Sequence, residues 1–305
     1  MSRIHEALKR AAQERSTQLA AAGLEAQVAE IAGESRRPTT TVASVAGPAT
    51  PSRVVAGASK FVASGYEELI VRCCHPEWLL DPLNSVFQNP KVGQGVSERF
   101  RALRSRLYQI AGVRTLRRLL VTSSVASEGK TFVSTNLAQS IVQQPDMRVL
   151  LVDADIRASR LHSTLGAPNR PGLSDYLRGE ADEFEVIQKG MEANLCLIPG
   201  GSQVSNPSEL LLSDRMKHLL EFAAPIFDWV IIDSPPALPV PDASILAGLV
   251  DGVLLVVKAG STHVAIAEKT AAEFHGNNLL GVVLNQVEKS ESYGGYYYDY
   301  QSKRD

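Results

Sequence analysis

Residues 119–141 read LLVTSSVASEGKTFVSTNLAQSI: an apolar run, a polar loop closing on Gly129, Lys130 and Thr131, and a segment with helical spacing. Strand, loop and helix in this order make the setting in which a loop holds phosphate. Successive backbone N–H groups and the positive end of the helix surround phosphate oxygens, the lysine ammonium reaches the β/γ-phosphates, and the threonine hydroxyl is placed for Mg²⁺. The spacing sets a first glycine at position 124, where Ser124 stands. A GKT triplet alone also fits a plain turn before a helix, so the flanking strand and helix carry the reading.

Working outward, short apolar runs recur at Leu119 to Thr122, Val149 to Val152, Leu195 to Ile198, Trp229 to Ile232, Val253 to Val257 and Gly281 to Leu284. Continuous apolar runs bounded by loop residues suit strands buried on both faces of a mainly parallel sheet. Helical patterns at about 131–144, 207–223, 241–249 and 263–276 alternate with them, which predicts a doubly wound α/β domain over 95–287 with right-handed crossovers. Two of the strands run into acids: VLLVDADIR (149–157) delivers Asp153 and Asp155, and WVIIDSPP (229–236) delivers Asp233. Acids at the carboxyl ends of parallel strands face the ligand crevice of such a sheet. Each alone reads as a loop or helix cap. Together with the phosphate loop they point to Mg²⁺–ATP, whose cation offsets the cost of burying three carboxylates.

Lys and Arg number 31 against 33 Asp and Glu, a net charge of -2. No global field draws nucleic acid or an anionic membrane. Three cysteines, the adjacent Cys73 and Cys74 and the distant Cys196, lack disulfide-framework or zinc spacing and suit a reducing compartment. MSRIHEALKRAAQERS at the start is amphipathic and charged throughout, without a secretory pattern, and no apolar run is long enough to span a membrane. A cytoplasmic protein is expected. A helix is expected in 1–33, with Ile4, Leu8, Ala11 and Ala12 on one face; a mobile linker in 34–65, from TTTVASVAGPATPS (39–52); and no assignment for 66–94, where YEELIVRCCHPEWLL (66–80) reads as a short helix ended by Pro76.

With these motifs the chain resembles the bacterial tyrosine kinases of capsule and exopolysaccharide synthesis, in their cytoplasmic stand-alone form. VLLVDADIR is similar to their second Walker motif, SNPSELLLSDRM (205–216) to the segment before the helix preceding Walker B, and VIIDSPPALPVPDASILAGLVDGVLLVV (230–257) to the Walker B strand and the stretch directly after it. The resemblance implies a P-loop NTPase fold of the group that includes the division-site and plasmid-partition ATPases, with ATP and Mg²⁺ as cofactors. It implies phosphate and metal binding by Lys130 and Thr131, metal binding by Asp153, Asp155 and Asp233, proton acceptance by Asp155, and stabilisation of phosphate charge by Arg157, which otherwise reads as a surface arginine paired with an acid. Further nucleotide contacts are expected at Ser127, Glu128, Gly129, Phe132 and Asn285.

SERFRALRSRL (97–107) sets Glu98, Arg101 and Arg104 along one side of a helix. As a pattern this suits a solvated face; it also resembles the family's interface, through which subunits close into a ring. The last stretch, 288–305, has no apolar period and reads as a disordered tail holding Tyr293, Tyr296, Tyr297, Tyr298 and Tyr300, five of the chain's eight tyrosines. Such clustering suits presentation for phosphorylation rather than packing, and phosphates in so short a run repel one another and the acids of a neighbouring site. The resemblance thus implies tail autophosphorylation between subunits, regulating polysaccharide assembly, with a membrane-embedded co-polymerase as activator and recruitment to the inner face of the membrane. Two alternatives stand beside it. One is a nucleotide-switched scaffold of the partition-ATPase kind, although the signature lysine of that group is Val125 here; the other is an adaptor that has lost nucleotide binding, as Ser124 would signal.

Overall fold

The computed structural model of the chain describes residues 65–80, 82–89, 94–190 and 194–287. The N-terminal helix, nearly all of the linker and the tyrosine tail expected from sequence lie outside the described residues.

Seven strands form one sheet: β1 (Arg118–Ser123), β2 (Val149–Asp153), β3 (Gln188–Lys189), β4 (Leu195–Ile198), β5 (Trp229–Asp233), β6 (Gly252–Lys258) and β7 (Leu279–Asn285). Their order is β3-β4-β2-β5-β1-β6-β7, and every pairing is parallel except that of β3 with β4. All six expected strands are present. Their side chains alternate between two cores: Leu120, Leu150, Val152, Val230 and Ile232 enter one, and Leu119, Val121, Val149, Leu151 and Ile231 the other. Both faces of the inner strands are covered, which is why they read as unbroken apolar runs; the edge strand β7 leaves Val282 and Leu284 exposed.

The helices are α1 (65–72), α2 (Gln94–Ala111), α3 (Lys130–Val142), α4 (Leu161–Leu165), α5 (Leu173–Leu177), α6 (Glu183–Val186), α7 (Pro207–Leu211), α8 (Asp214–Ala223), α9 (Asp242–Ala247) and α10 (Val264–Glu273). The single helix expected over 207–223 is two. Ser213 adopts an extended conformation (φ -66°, ψ 157°) and its hydroxyl donates to the Leu210 carbonyl at 2.6 Å, so the local side-chain bond competes with the helical ladder there.

The segment left without an assignment is a strap. Tyr66 of α1 meets Phe227 edge to face with ring centroids 5.8 Å apart, and Leu69 and Cys73 are buried in the same core. Cys74 then pairs with Gln188 of β3, its N–H donating to the Ile187 carbonyl at 3.1 Å while its own carbonyl accepts from Lys189 N–H at 2.8 Å. Farther on, Ser85 Oγ donates to Gln139 Oε1 at 2.7 Å and Val86 N–H to Asn136 Oδ1 at 2.8 Å. Both acceptors belong to α3, so the strap runs from the sheet edge to the helix that comes after the phosphate loop.

Candidate functional site

The loop between β1 and α3 is Ser124–Gly129. Ser127 (φ 66°) and Gly129 (φ 91°) are its left-handed residues. Ser124 is not left-handed and is buried, so the position read as a missing glycine does not need one. Behind the loop stands the end of β7. Asn285 Nδ2 donates to the Glu128 carbonyl at 2.9 Å and Gln286 Nε2 to the Ser127 carbonyl at 3.3 Å. Because the C=O and N–H of a trans peptide point oppositely, tying these carbonyls back turns the N–H groups of Glu128 and Gly129 away from β7. A Cβ on residue 129 would lie 2.0 Å from Asn285 Nδ2, so the close approach requires glycine there as much as the φ does.

The Glu128 side chain is taken up by neighbouring protein groups. Its carboxylate accepts from Val125 N–H at 2.7 Å, from Lys258 N–H at 3.2 Å and from Thr262 Oγ1, pinning the loop to the β6–α10 connection. What was expected as a nucleotide contact is, in its side chain, a brace. Phe132 is similar: its ring is turned to Phe100 of α2 (centroids 5.9 Å apart), leaving its backbone N–H as the group on the loop side.

Lys130 and Thr131 reach the acids. Lys130 Nζ lies 3.1 Å from Asp155 Oδ2, a pair with side chains 14% and 8% exposed. Thr131 Oγ1 donates to Asp233 Oδ2 at 2.7 Å and Ser134 Oγ to Asp233 Oδ1 at 3.0 Å. Asp153 and Asp233 end neighbouring strands in direct register. The oxygens of Asp153 have separate fates: Oδ2 accepts from Ser159 Oγ (2.8 Å), Arg160 N–H (3.1 Å) and Leu161 N–H (3.0 Å), capping α4, while Oδ1 is buried with no hydrogen-bond partner. The capping reading therefore holds for Oδ2, and Oδ1 is the oxygen it leaves over.

Burial pushes Asp153 up to about 6 and Asp233 up to about 7, the latter against the pull of Lys130. Between about pH 4 and these values the native protein keeps protons that the unfolded chain has released, so stability from these groups falls as pH rises and levels off above about 7. His162, lowered by burial, tilts the same window the other way. The expected outcome is a difference: in urea melts of the nucleotide-free protein, Asp233→Asn gains stability relative to wild type as pH is raised from about 4 to about 7. A constant gap between the two would refute the assignment.

Among the described residues no three His, Cys, Asp or Glu side chains gather as a metal cage; Asp155 is turned to Lys130 instead. Mg²⁺ does not need such a cage, being held in phosphate sites by a hydroxyl, one or two carboxylates, phosphate oxygens and water. Thr131 Oγ1, Asp233 and the unpartnered Asp153 Oδ1 fit that donor set.

Arg157 is bidentate on Asp242, with Nε to Oδ2 at 2.7 Å and Nη2 to Oδ1 at 3.1 Å. The helical trio is not a uniform charged face: Glu98 and Arg101 pair on the surface, whereas Arg104 Nη1 donates to the Ser140 carbonyl of α3. Sequence reading passed over Ser134, Ser159, Ser208 and Asp242. Only Asp242, inside the PVPDAS run, left a signal, an acid behind two prolines at the first position of a helix.

A family model described as an AAA domain matches residues 125–266. The tyrosine-protein kinase CpsD of Streptococcus agalactiae is 36% identical over 211 residues, covering 68% of this chain and 90% of that one. This chain belongs to that family of tyrosine-protein kinases. The family's wzc member from Salmonella typhi is 37% identical over 212 residues, covering 67% of this chain and 29% of its own; the chain thus spans about three tenths of that longer relative. Among solved structures, the kinase domain of the family's Escherichia coli member ETK superposes with a TM-score of 0.60 at 38% identity, over 64% of this chain and 77% of that one. The mainly parallel α/β sheet with a phosphate loop is the architecture expected from sequence. No helix among the described residues is long and apolar enough to cross a membrane.

Proposed function

We propose that the chain is an ATP-dependent tyrosine autokinase acting between copies of itself. The observation that supports this most is the convergence of Lys130 on Asp155 at 3.1 Å and of Thr131 on Asp233 at 2.7 Å at one end of the sheet. There the N–H groups of the loop and the Lys130 ammonium take the phosphates of ATP. Lys130 must leave Asp155 to do so, which frees that carboxylate beside the γ-phosphate. The tyrosine oxygen attacks phosphorus, the bond to the β-γ bridging oxygen breaks, ADP departs with its electron pair, and the phenol proton passes to Asp155. Positioning and charge account for nearly all the catalysis in such a transfer. Mg²⁺, held by Thr131 and Asp233 with the unpartnered oxygen of Asp153, neutralises charge on the phosphates when bound.

The acceptors are Tyr293, Tyr296, Tyr297, Tyr298 and Tyr300 of a neighbouring copy. Glu98 and Arg101 supply the exposed part of a ring interface, and Arg104 holds α2 on α3. Accumulating tail phosphates disperse the ring, a cycle coupled to capsule or exopolysaccharide assembly through a membrane-embedded co-polymerase that brings this cytoplasmic protein to the inner face of the membrane. The test mixes wild type truncated before Lys289 with full-length Lys130→Met in Mg²⁺ and ATP. Phosphotyrosine on the tail of the Lys130→Met chain is the expected result. ATP hydrolysis with clean tails would replace the proposal by a nucleotide-switched scaffold.

A further inference from the structure

Two residues beyond Asp155, Arg157 has a divided guanidinium. One edge is fully committed: Nε and Nη2 grip Asp242, and Nη2 also donates to Ser208 Oγ at 2.8 Å. Ser208 Oγ in turn donates to Asp242 Oδ1 at 2.5 Å. At the other edge, Nη1 has no acceptor among the described residues, and the arginine side chain is 36% exposed while that of Asp242 is 0% exposed. The network joins three separate pieces of chain, the loop after β2, the start of α7 and the start of α9. An apolar trio would hold the same pieces together without the cost of burying a carboxylate. What the ionic version adds is a guanidinium fixed at one edge and open at the other.

Beside it lies a groove of about 410 Å³ lined by Ile156, Arg157, Gln203, Val204, Ser205 and Pro207. No residue of the phosphate loop lines it. The groove therefore stands apart from the loop and from Lys130, and it flanks the segment carrying Asp155 through Ile156 and Arg157. The tail has the chemistry for this place: between Ser292 and Ser302 its one charged residue is Asp299, set between Tyr298 and Tyr300. We infer that this groove receives the tyrosine-bearing acceptor segment, that the open edge of Arg157 takes the Asp299 carboxylate or an already installed phosphate of that segment, and that Asp242 with Ser208 is the positioning pair that aims it. The inference rests on the kinase reading above and names the residues that select its acceptor.

The experiment uses the full-length chain with a synthetic peptide of residues 290–305 as added acceptor. Arg157→Lys keeps the charge but loses the fork, and Asp242→Asn removes the counter-charge. Each is expected to raise the peptide KM about tenfold, the worth of one charged hydrogen bond, with the KM for ATP within about twofold of wild type. Because Asp242 acts through Arg157, the double variant should show no larger peptide KM than Arg157→Lys alone. Should Asp242→Asn fail to fold in a thermal melt, Ser208→Ala gives the milder form, a rise of about two- to threefold. A peptide with Asp299→Asn that becomes insensitive to Arg157→Lys identifies the carboxylate as the bound anion; sensitivity confined to phosphorylated peptide identifies the phosphate. Unchanged peptide KM in folded variants, or an equal rise in both KM values, overturns the inference. Anisotropy of labelled peptide separates it from the kinase reading: binding that depends on Arg157 without phosphate transfer leaves the groove standing and the kinase fallen.

Discussion

Lys130→Met is expected to lower tail phosphorylation by about a hundred- to a thousandfold, the usual loss when one preorganised charge at a developing anion is deleted. The effect should fall on ATP affinity as well as on turnover, because the ammonium faces phosphate in both ground and transition states. The same variant has a structural consequence. It strands Asp155, whose side chain is only 8% exposed and whose ion-pair partner at 3.1 Å is Lys130, and an unpaired buried charge typically costs about 3–5 kcal/mol. The nucleotide-free variant should therefore melt lower than wild type. Urea melts, beside a phosphotyrosine assay, check both parts.

Asp155→Asn is expected to separate binding from chemistry. Loss of the proton acceptor should lower transfer by about 10² to 10⁴, yet ATP affinity should not fall. In the nucleotide-free protein Asp155 competes with phosphate for Lys130, and an amide competes less. Unchanged or tighter ATP binding with collapsed turnover is the predicted pair of results. If affinity drops in step with turnover, Asp155 is serving the nucleotide itself and the proton-acceptor role is misplaced.

How much of the fold and the site is legible in the sequence depends on the distance over which each feature is determined. The inner strands can be read because a strand covered on both faces must be apolar at every position, as Val149 to Val152 is; β7, at the edge, is apolar although Val282 and Leu284 are exposed. β3 cannot: Gln188 and Lys189 are polar, and only pairing with β4 and Cys74 makes them a strand. The strap is unreadable for the same reason, its defining bonds joining Ser85 to Gln139 and Val86 to Asn136. Within the site, Lys130, Thr131 and the acids are visible because strand ends and loop spacing fix where side chains emerge. Which oxygen of Asp153 caps α4, and that Arg104 turns inward to the carbonyl of Ser140, are settled by packing. Asp242 is a further case. Its sequence neighbours suggest a proline-bounded turn, and its partner Arg157 comes from the loop after β2, 85 residues away.

The central claim is that the amides of one loop, Lys130 and the acids at the ends of β2 and β5 form a single site for Mg²⁺–ATP. Isothermal titration of the full-length protein with ATP tests it most directly, with and without Mg²⁺ and with Lys130→Met alongside. One site per chain, tightened by Mg²⁺ and lost in the variant, is the predicted result. Binding that ignores both Mg²⁺ and Lys130, or no binding at all, would contradict it.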